Sequence, residues 1–285
     1  MCIVAIAWQL FDDLPLVLLS NRDEFLQRPT EPLHQWLDKP IYAGRDAQSG
    51  GTWLGIHQIK HQESQSAVYQ QNGRWAGVLN FRDGVQASSD ERSRGALVTD
   101  FLTSTLSPMA FARQISLQDY AGFNLIIGDS KQAVIVNNRG HAPTPLYAGL
   151  HVFSNGQPEE SWFKTERLRG RLRQEVLPLI GEDSSFEYWQ EAAFAVMSDS
   201  TSAPTDKLPE TGVAIEIEQA LSSIYIESAK LTGSSDRTLP NYGTRTQSIL
   251  TLSVSNLDTE TDEQSLSESK YTTTLISREL NSDTV

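Results

Sequence analysis

The strand-length runs in this chain are apolar at nearly every position, and this restricts the folds open to it. "CIVAIAW" (2–8), "LPLVLLSN" (14–21), "GTWLGIHQ" (51–58) and "GRWAGVLNF" (73–81) lack the clean alternation of a sheet with one wet face. Strands of this kind are covered on both sides. The chain is therefore expected to build sheets that lie between other layers.

The order of elements agrees. "FDD" and "QNG" mark hairpin connections in the strand-rich first third. A helical zone follows. Leu97, Phe101 and Leu102 recur at helical spacing, and "SPMAFARQIS" supplies an N-cap Ser107 with Pro108 at the first helical position. Strands resume at "FNLIIGD", "QAVIVNN" and "YAGLHVFSN". A second helical zone covers about 159–177 and then "FEYWQEAAFAVM". The last third reads as strands at "SIYIESAKL", "TQSILTLSV" and "KYTTTLISREL", the last two joined by an acidic loop. No internal repeat or linker divides the chain. Strands, helices, strands, helices, strands give one α+β domain over 1–285, with large sheets clothed in helices.

Composition narrows the function classes. With 23 Lys+Arg against 36 Asp+Glu the net charge is −13, which argues against nucleic-acid backbone or an anionic membrane as partner. No apolar run reaches the length of a membrane span. No basic start and apolar stretch of a secretory signal opens the sequence: Asp12 and Asp13 arrive early. One cysteine forms no internal disulfide. The expectation is a cytoplasmic protein. The five histidines show no metal-ligand spacing and read as surface or loop residues, so no metal and no cofactor are expected.

The single cysteine, Cys2, stands directly behind Met1. Methionine is trimmed when a small residue follows it. Trimming leaves an α-amine, with a reference pKa of about 8, and a thiol, at about 8.5, on one residue. The amine can take the thiol proton directly or through a water, so nucleophile and base need no partner residue. The plainer reading is that Cys2 is a small hydrophobe heading a core strand.

Two further stretches bear on the choice. "SNRDEFLQRPT" (20–30) and "AGRDAQSGGTWLG" (43–55), with "MCIV", "GVLNFRD", "SNG" and "YGTRTQSILTL", resemble the NRDE family, the family of the transport and Golgi organisation protein. That family in turn resembles the N-terminal nucleophile (Ntn) hydrolases of the cholylglycine hydrolase and penicillin V acylase group. The resemblance implies a four-layer αββα sandwich, two stacked sheets between helices. It also implies site residues: Cys2 as nucleophile, Arg22 and Asp23 as the polar pair after the second strand, Asn80 and Asn155 as the two asparagines, and Arg245 as the late arginine.

On this basis the Cys2 thiolate would attack a non-peptide amide or an ester of a small-molecule substrate. Arg22 would favour the thiolate, Asp23 would orient the α-ammonium or a water, and Asn80 would donate to the oxyanion. Arg22 and Asp23 are adjacent here, whereas the acylases separate them by two residues. Adjacent strand residues face opposite ways unless the chain turns, with Asn21 and Glu24 as the alternatives. Plainer roles stand beside these. Asn80 could close a strand end, Asn155-Gly156 is a turn dipeptide, and Arg45-Asp46 reads as a loop clamp. Gly50 and Gly51 would supply unusual backbone, and Trp53 reads as core. The resemblance also leaves open a ligand carrier for haem, lipid or acyl-CoA on the same scaffold.

Overall fold

The computed structural model describes residues 3–58, 73–85, 87–182, 185–228, 241–255 and 270–280. Met1, Cys2 and the acidic loop at 256–269 lie outside the described residues. The chain opens with β1 (Ile3–Trp8) and β2 (Leu16–Phe25), then β3 (Thr30–Gln35), β4 (Ile41–Asp46), β5 (Leu54–His57) and β6 (Trp75–Asn80). Helices α1 (Gly95–Thr103) and α2 (Pro108–Gln114) follow. Four strands come next: β7 (Phe123–Gly128), β8 (Ala133–Asn137), β9 (Thr144–Pro145) and β10 (Gly149–Phe153). The second helical part holds α3 (Phe163–Glu175), α4 (Leu177–Gly181), α5 (Phe186–Met197) and α6 (Ile215–Ala220). Strands β11 (Tyr242–Ser255) and β12 (Lys270–Glu279) close the described chain.

Two antiparallel sheets result. The first has the order β10-β1-β2-β11-β12; the second runs β3 to β9 in sequence order. Strand periodicity explains how they stack. Val4, Ile6 and Trp8 of β1 and Leu16 and Leu18 of β2 pack against Leu54, Ile56, Trp75, Leu79 and Ile126 of the second sheet. The alternate residues Ile3, Ala5, Ala7, Val17 and Leu19 pack against Leu168, Leu172, Trp189 and Phe194 of α3 and α5. The second sheet buries its other face, Ala76, Val78, Leu125 and Val134, against Leu97, Val98, Phe101 and Leu102 of α1. The order helix, sheet, sheet, helix is the four-layer αββα sandwich, which is why the strands read as apolar throughout. Burying each such Leu, Ile or Val contributes about 1.5–3 kcal/mol. Trp8 and Trp75 meet across the sheet–sheet interface, ring centroids 6.3 Å apart.

Several sequence expectations need correction. "SIYIESAKL" is not a strand over its described part. The backbone of 223–228 is taken up piecemeal: Ile224 O accepts from the Asn21 side chain, Tyr225 N donates to Asp199 O, and Ile226 N donates to Thr244 Oγ1. With those groups engaged no ladder can form. Strands β3 and β4 stand where only a motif was read. β3 is an edge strand containing Pro32, and it bulges between Glu31 and His34. His57 is not a surface residue. It is buried on β5 with Nδ1 against Leu102 O, and burial pulls its imidazole below the usual histidine value. Arg74 donates to Phe101 O and Leu106 O beside it, so this His–Arg pair meets carbonyls at the C-terminal end of α1. Among the described residues no helix is long and apolar enough to cross a membrane.

Candidate functional site

β2 outruns β1 at one end of the sandwich. Ile3, the first described residue, pairs with Asn21, and β2 continues through Arg22, Asp23 and Glu24 to Phe25 against β11. The strand does not turn after Arg22, so consecutive side chains leave on opposite faces. Asn21 goes to the helix side, where Nδ2 donates to Met197 O and Ile224 O, both at 2.8 Å. Arg22 goes to the sheet–sheet side, its guanidinium 4.2 Å from the centre of the Trp53 ring. Asp23 accepts from Thr244 Oγ1 at 2.6 Å. A bulge between Thr244 and Thr246 sets that register.

Here a cavity of about 570 Å³ opens. Arg22, Asp23, Glu24, Trp53 and Asn80 all border it, so three of the residues expected from the sequence meet at one cavity, Arg22 and Asp23 from opposite faces of β2. Asn80 ends β6 and its side chain is exposed. Asn155 does not line the cavity. It stands behind Asn80, buried, with Nδ2 donating to the Asn80 carbonyl at 2.8 Å. Arg82 returns the contact, donating from its backbone N to Asn155 O at 2.7 Å. Arg245 does not line the cavity either. It is the extra residue of the bulge, and its Nη1 donates to Phe25 O, Arg28 O and Thr30 Oγ1. It fastens the β2–β3 connection.

The electrostatics centre on four charges. Arg28 Nε donates to Asp46 at 2.6 Å. Arg22 lies 3.6 Å from Glu24 and 3.9 Å from Asp46, beyond hydrogen-bond range. Arg22 is 3% exposed, and among the described residues its Nη1 has no acceptor. A buried donor left this way costs about 1–3 kcal/mol, more when charged. Burial pulls this guanidinium below the usual arginine value; Glu24 and Asp46 oppose that pull, while Arg245 and Arg28 add to it. Burial works to raise the Asp46 carboxyl, but hydrogen bonds from Arg28 and Ser49 prevail and hold it below the usual carboxylate range. Asp46 also accepts from the backbone of Gln48 and Ser49, so the loop-clamp reading falls on Asp46. Arg45 shares the clamp: its Nε donates to Gly50 O at 3.3 Å, and its guanidinium also pairs with Asp38.

Sequence reasoning singled out Gly50 and Gly51 as unusual backbone but missed the buried asparagines that hold the site. Gly50 has φ +75°, the left-handed region that glycine favours. Gly51 is needed for space: a Cβ there would lie 2.7 Å from the Gly95 backbone. The β4–β5 loop thus presses on the first turn of α1, and Ser93, Arg94 and Gly95 join the cavity wall. Asn124 and Asn137 pin the segment around Asn155. Asn124 Nδ2 donates to Ser154 O and Gly156 O, and Asn137 Nδ2 donates to Asn124 Oδ1. The one available signal was that both asparagines stand at the ends of apolar strands, Asn124 second in β7 and Asn137 last in β8. Trp53 belongs both to the core and to the cavity wall. Among the described residues no group of three or more His, Cys, Asp or Glu is placed to hold a metal.

The sequence profile of the Transport and Golgi organisation 2 family matches residues 1–268. The human Transport and Golgi organization protein 2 homolog (Homo sapiens) is 34% identical over 161 residues, 52% of this chain. That stretch spans about half, 53%, of the human protein's length. The bovine homolog (Bos taurus) is 28% identical over 82% of this chain and 81% of its own. Among solved structures, a Caenorhabditis elegans N-acylethanolamine-hydrolyzing acid amidase ortholog has a TM-score of 0.44. It is 12% identical, over 69% of this chain and 86% of that one.

Proposed function

The chain belongs to the Transport and Golgi organisation 2 family, and from that premise we propose that it hydrolyses a non-peptide amide or ester bond through Cys2 once Met1 has been removed. One observation carries the reading. Arg22, Asp23 and Asn80 line one cavity at the end of the sandwich where Ile3, the residue bonded to Cys2, begins β1.

The steps follow from the groups present. The Cys2 thiol gives its proton to its own α-amine, directly or through a water, and its sulfur bonds to the substrate carbonyl carbon. Negative charge moves to the carbonyl oxygen, and the exposed Asn80 Nδ2 donates to it. Collapse breaks the carbon–nitrogen or carbon–oxygen bond, and the α-ammonium returns the proton to the leaving group. Water then attacks the thioester, releases the acid and restores the thiol. Arg22 favours the thiolate through its positive charge. Asn155 acts through Asn80, whose carbonyl it holds.

A carrier of haem, lipid or acyl chains on this scaffold is the less favoured reading. Four arginines and four carboxylates stand on this lining, whereas such ligands bury apolar surface. The test is turnover of a panel of small p-nitroanilides and p-nitrophenyl esters by the natural protein and by Cys2→Ala. Hydrolysis that disappears with Cys2→Ala supports the proposal; hydrolysis that survives it removes Cys2 as the nucleophile.

A further inference from the structure

We infer that two cations beside Asn155, Lys164 and Arg82, are positioning residues of the site, a role that rests on reading Asn80 as the oxyanion donor. They fix the Asn155 amide so that its Nδ2 holds the Asn80 carbonyl. The reaction steps use neither cation, yet both are buried. Lys164, second residue of α3, is 1% exposed, and the Arg82 side chain is 13% exposed. Lys164 Nζ donates to Leu221 O at 3.2 Å and to Asn155 Oδ1 at 3.5 Å. Arg82 Nη2 donates to the same Asn155 oxygen at 3.4 Å, and Ser154 Oγ does so at 3.2 Å. Glu218, buried on α6, holds Arg82 in turn, accepting from its Nη1 at 2.8 Å.

These contacts leave the amide one orientation. Lysine and arginine side chains only donate, and a backbone carbonyl only accepts. Turning the Asn155 amide over would set its NH2 against two cations and its oxygen against the Asn80 carbonyl. The contacts at 3.4 and 3.5 Å are long for directed hydrogen bonds, so the cations act chiefly through charge, which is weakly screened where water is excluded. Positive charge at Oδ1 draws electrons from the amide nitrogen and makes Nδ2–H a stronger donor. The Asn80 carbonyl, 2.8 Å away, receives that bond. Asn80 ends β6, so holding its carbonyl holds the backbone from which the donor side chain leaves. A side chain that only filled the place of Lys164 would be apolar at less cost, because a buried charge is expensive to desolvate.

The Asn155 side-chain amide is followed by NMR in nitrogen-15-labelled protein, its resonances identified by their loss in Asn155→Asp. In the natural protein its NH2 protons should exchange with solvent about tenfold more slowly than those of the exposed Asn80. Lys164→Met keeps the length and removes the charge. It should speed that exchange about tenfold and cut kcat on the p-nitroanilide and ester panel by a similar factor, with KM unchanged. Arg82→Met should act in the same direction, and Arg82→Lys, which keeps a cation, should recover most of the loss. The comparison of Asn155 with Asn80 in the natural protein needs no variant, so it decides even where Lys164→Met fails to fold. A role in packing alone predicts lower stability in urea with the exchange and the kcat of the folded protein unchanged. That result, or Asn155 protons that exchange as fast as those of Asn80, would overturn the inference. If the natural protein hydrolyses none of the panel, the hydrolase reading falls by itself, and the exchange data still decide whether the cations fix the amide.

Discussion

At the residue scale, the site divides into groups that face the cavity and groups that hold them. Asn80 and Asn155 show the difference, although the resemblance named them together as the two asparagines of the site. The Asn80 side chain is exposed, whereas Asn155 is buried and bonded to the Asn80 carbonyl. Asn80→Ala should therefore change stability by no more than about 0.5 kcal/mol, while removing an oxyanion donor should cut turnover about 10²–10³-fold. Asn155→Ala leaves a carbonyl without its donor and should cost about 1–3 kcal/mol in urea unfolding, with turnover falling alongside. If Asn80→Ala keeps full turnover, Asn80 has no part in the chemistry. Arg245 carries the same lesson. Its position in "YGTRTQ" was legible; that it would clamp the β2–β3 connection was not, because the bulge that aims it depends on the pairing of β11 with β2.

At the element scale, legibility followed periodicity. The apolar runs of β1, β2, β6, β7 and β8 and the capped helix α2 stand where the sequence put them, since each carries its own pattern. Ser107 accepts from Ala110 N, as an N-cap should. β3 and β4 escaped notice because Pro32, Gly44 and Arg45 interrupt any pattern, and these strands exist by pairing along a sheet edge. "SIYIES" failed the other way. Its β-branched residues fit a strand, but Asn21, Asp199 and Thr244 claim its backbone one group at a time. The contact between the β4–β5 loop and α1 belongs to this scale too. Gly51→Ala sets a methyl group against the Gly95 backbone and should destabilise the protein by about 1–3 kcal/mol in urea unfolding. It should also lower turnover, because the same contact fixes one wall of the cavity. A neutral Gly51→Ala would show that the loop yields at no cost.

At the scale of the whole molecule, the four layers explain why the strands are apolar on both faces and why the polar end of β2 is exceptional. The helical layer over the first sheet is tied together at Asp199, which accepts from Arg167 and Arg171 of α3 at 2.6 and 3.0 Å. Burial works to raise this carboxyl, but hydrogen bonds from Thr201, Arg167 and Arg171 prevail and lower it from 3.8 to about 2. A folded value below the unfolded one means the stabilisation is complete above pH 3.8 and is lost as pH falls toward 2. The stability advantage of the natural protein over Asp199→Asn should therefore be constant at neutral pH and shrink across that window; a gap unchanged down to pH 2 would contradict the assignment. The central claim, that Cys2 with a free α-amine is the nucleophile, has a direct measurement. The protein is reacted with p-nitrophenyl acetate, quenched in acid and mapped by peptide mass spectrometry. The account predicts an N-terminal peptide that begins at Cys2 and carries one acetyl group on its sulfur. A peptide that retains Met1, or an acetyl group found elsewhere while Cys2 stays free, would contradict it.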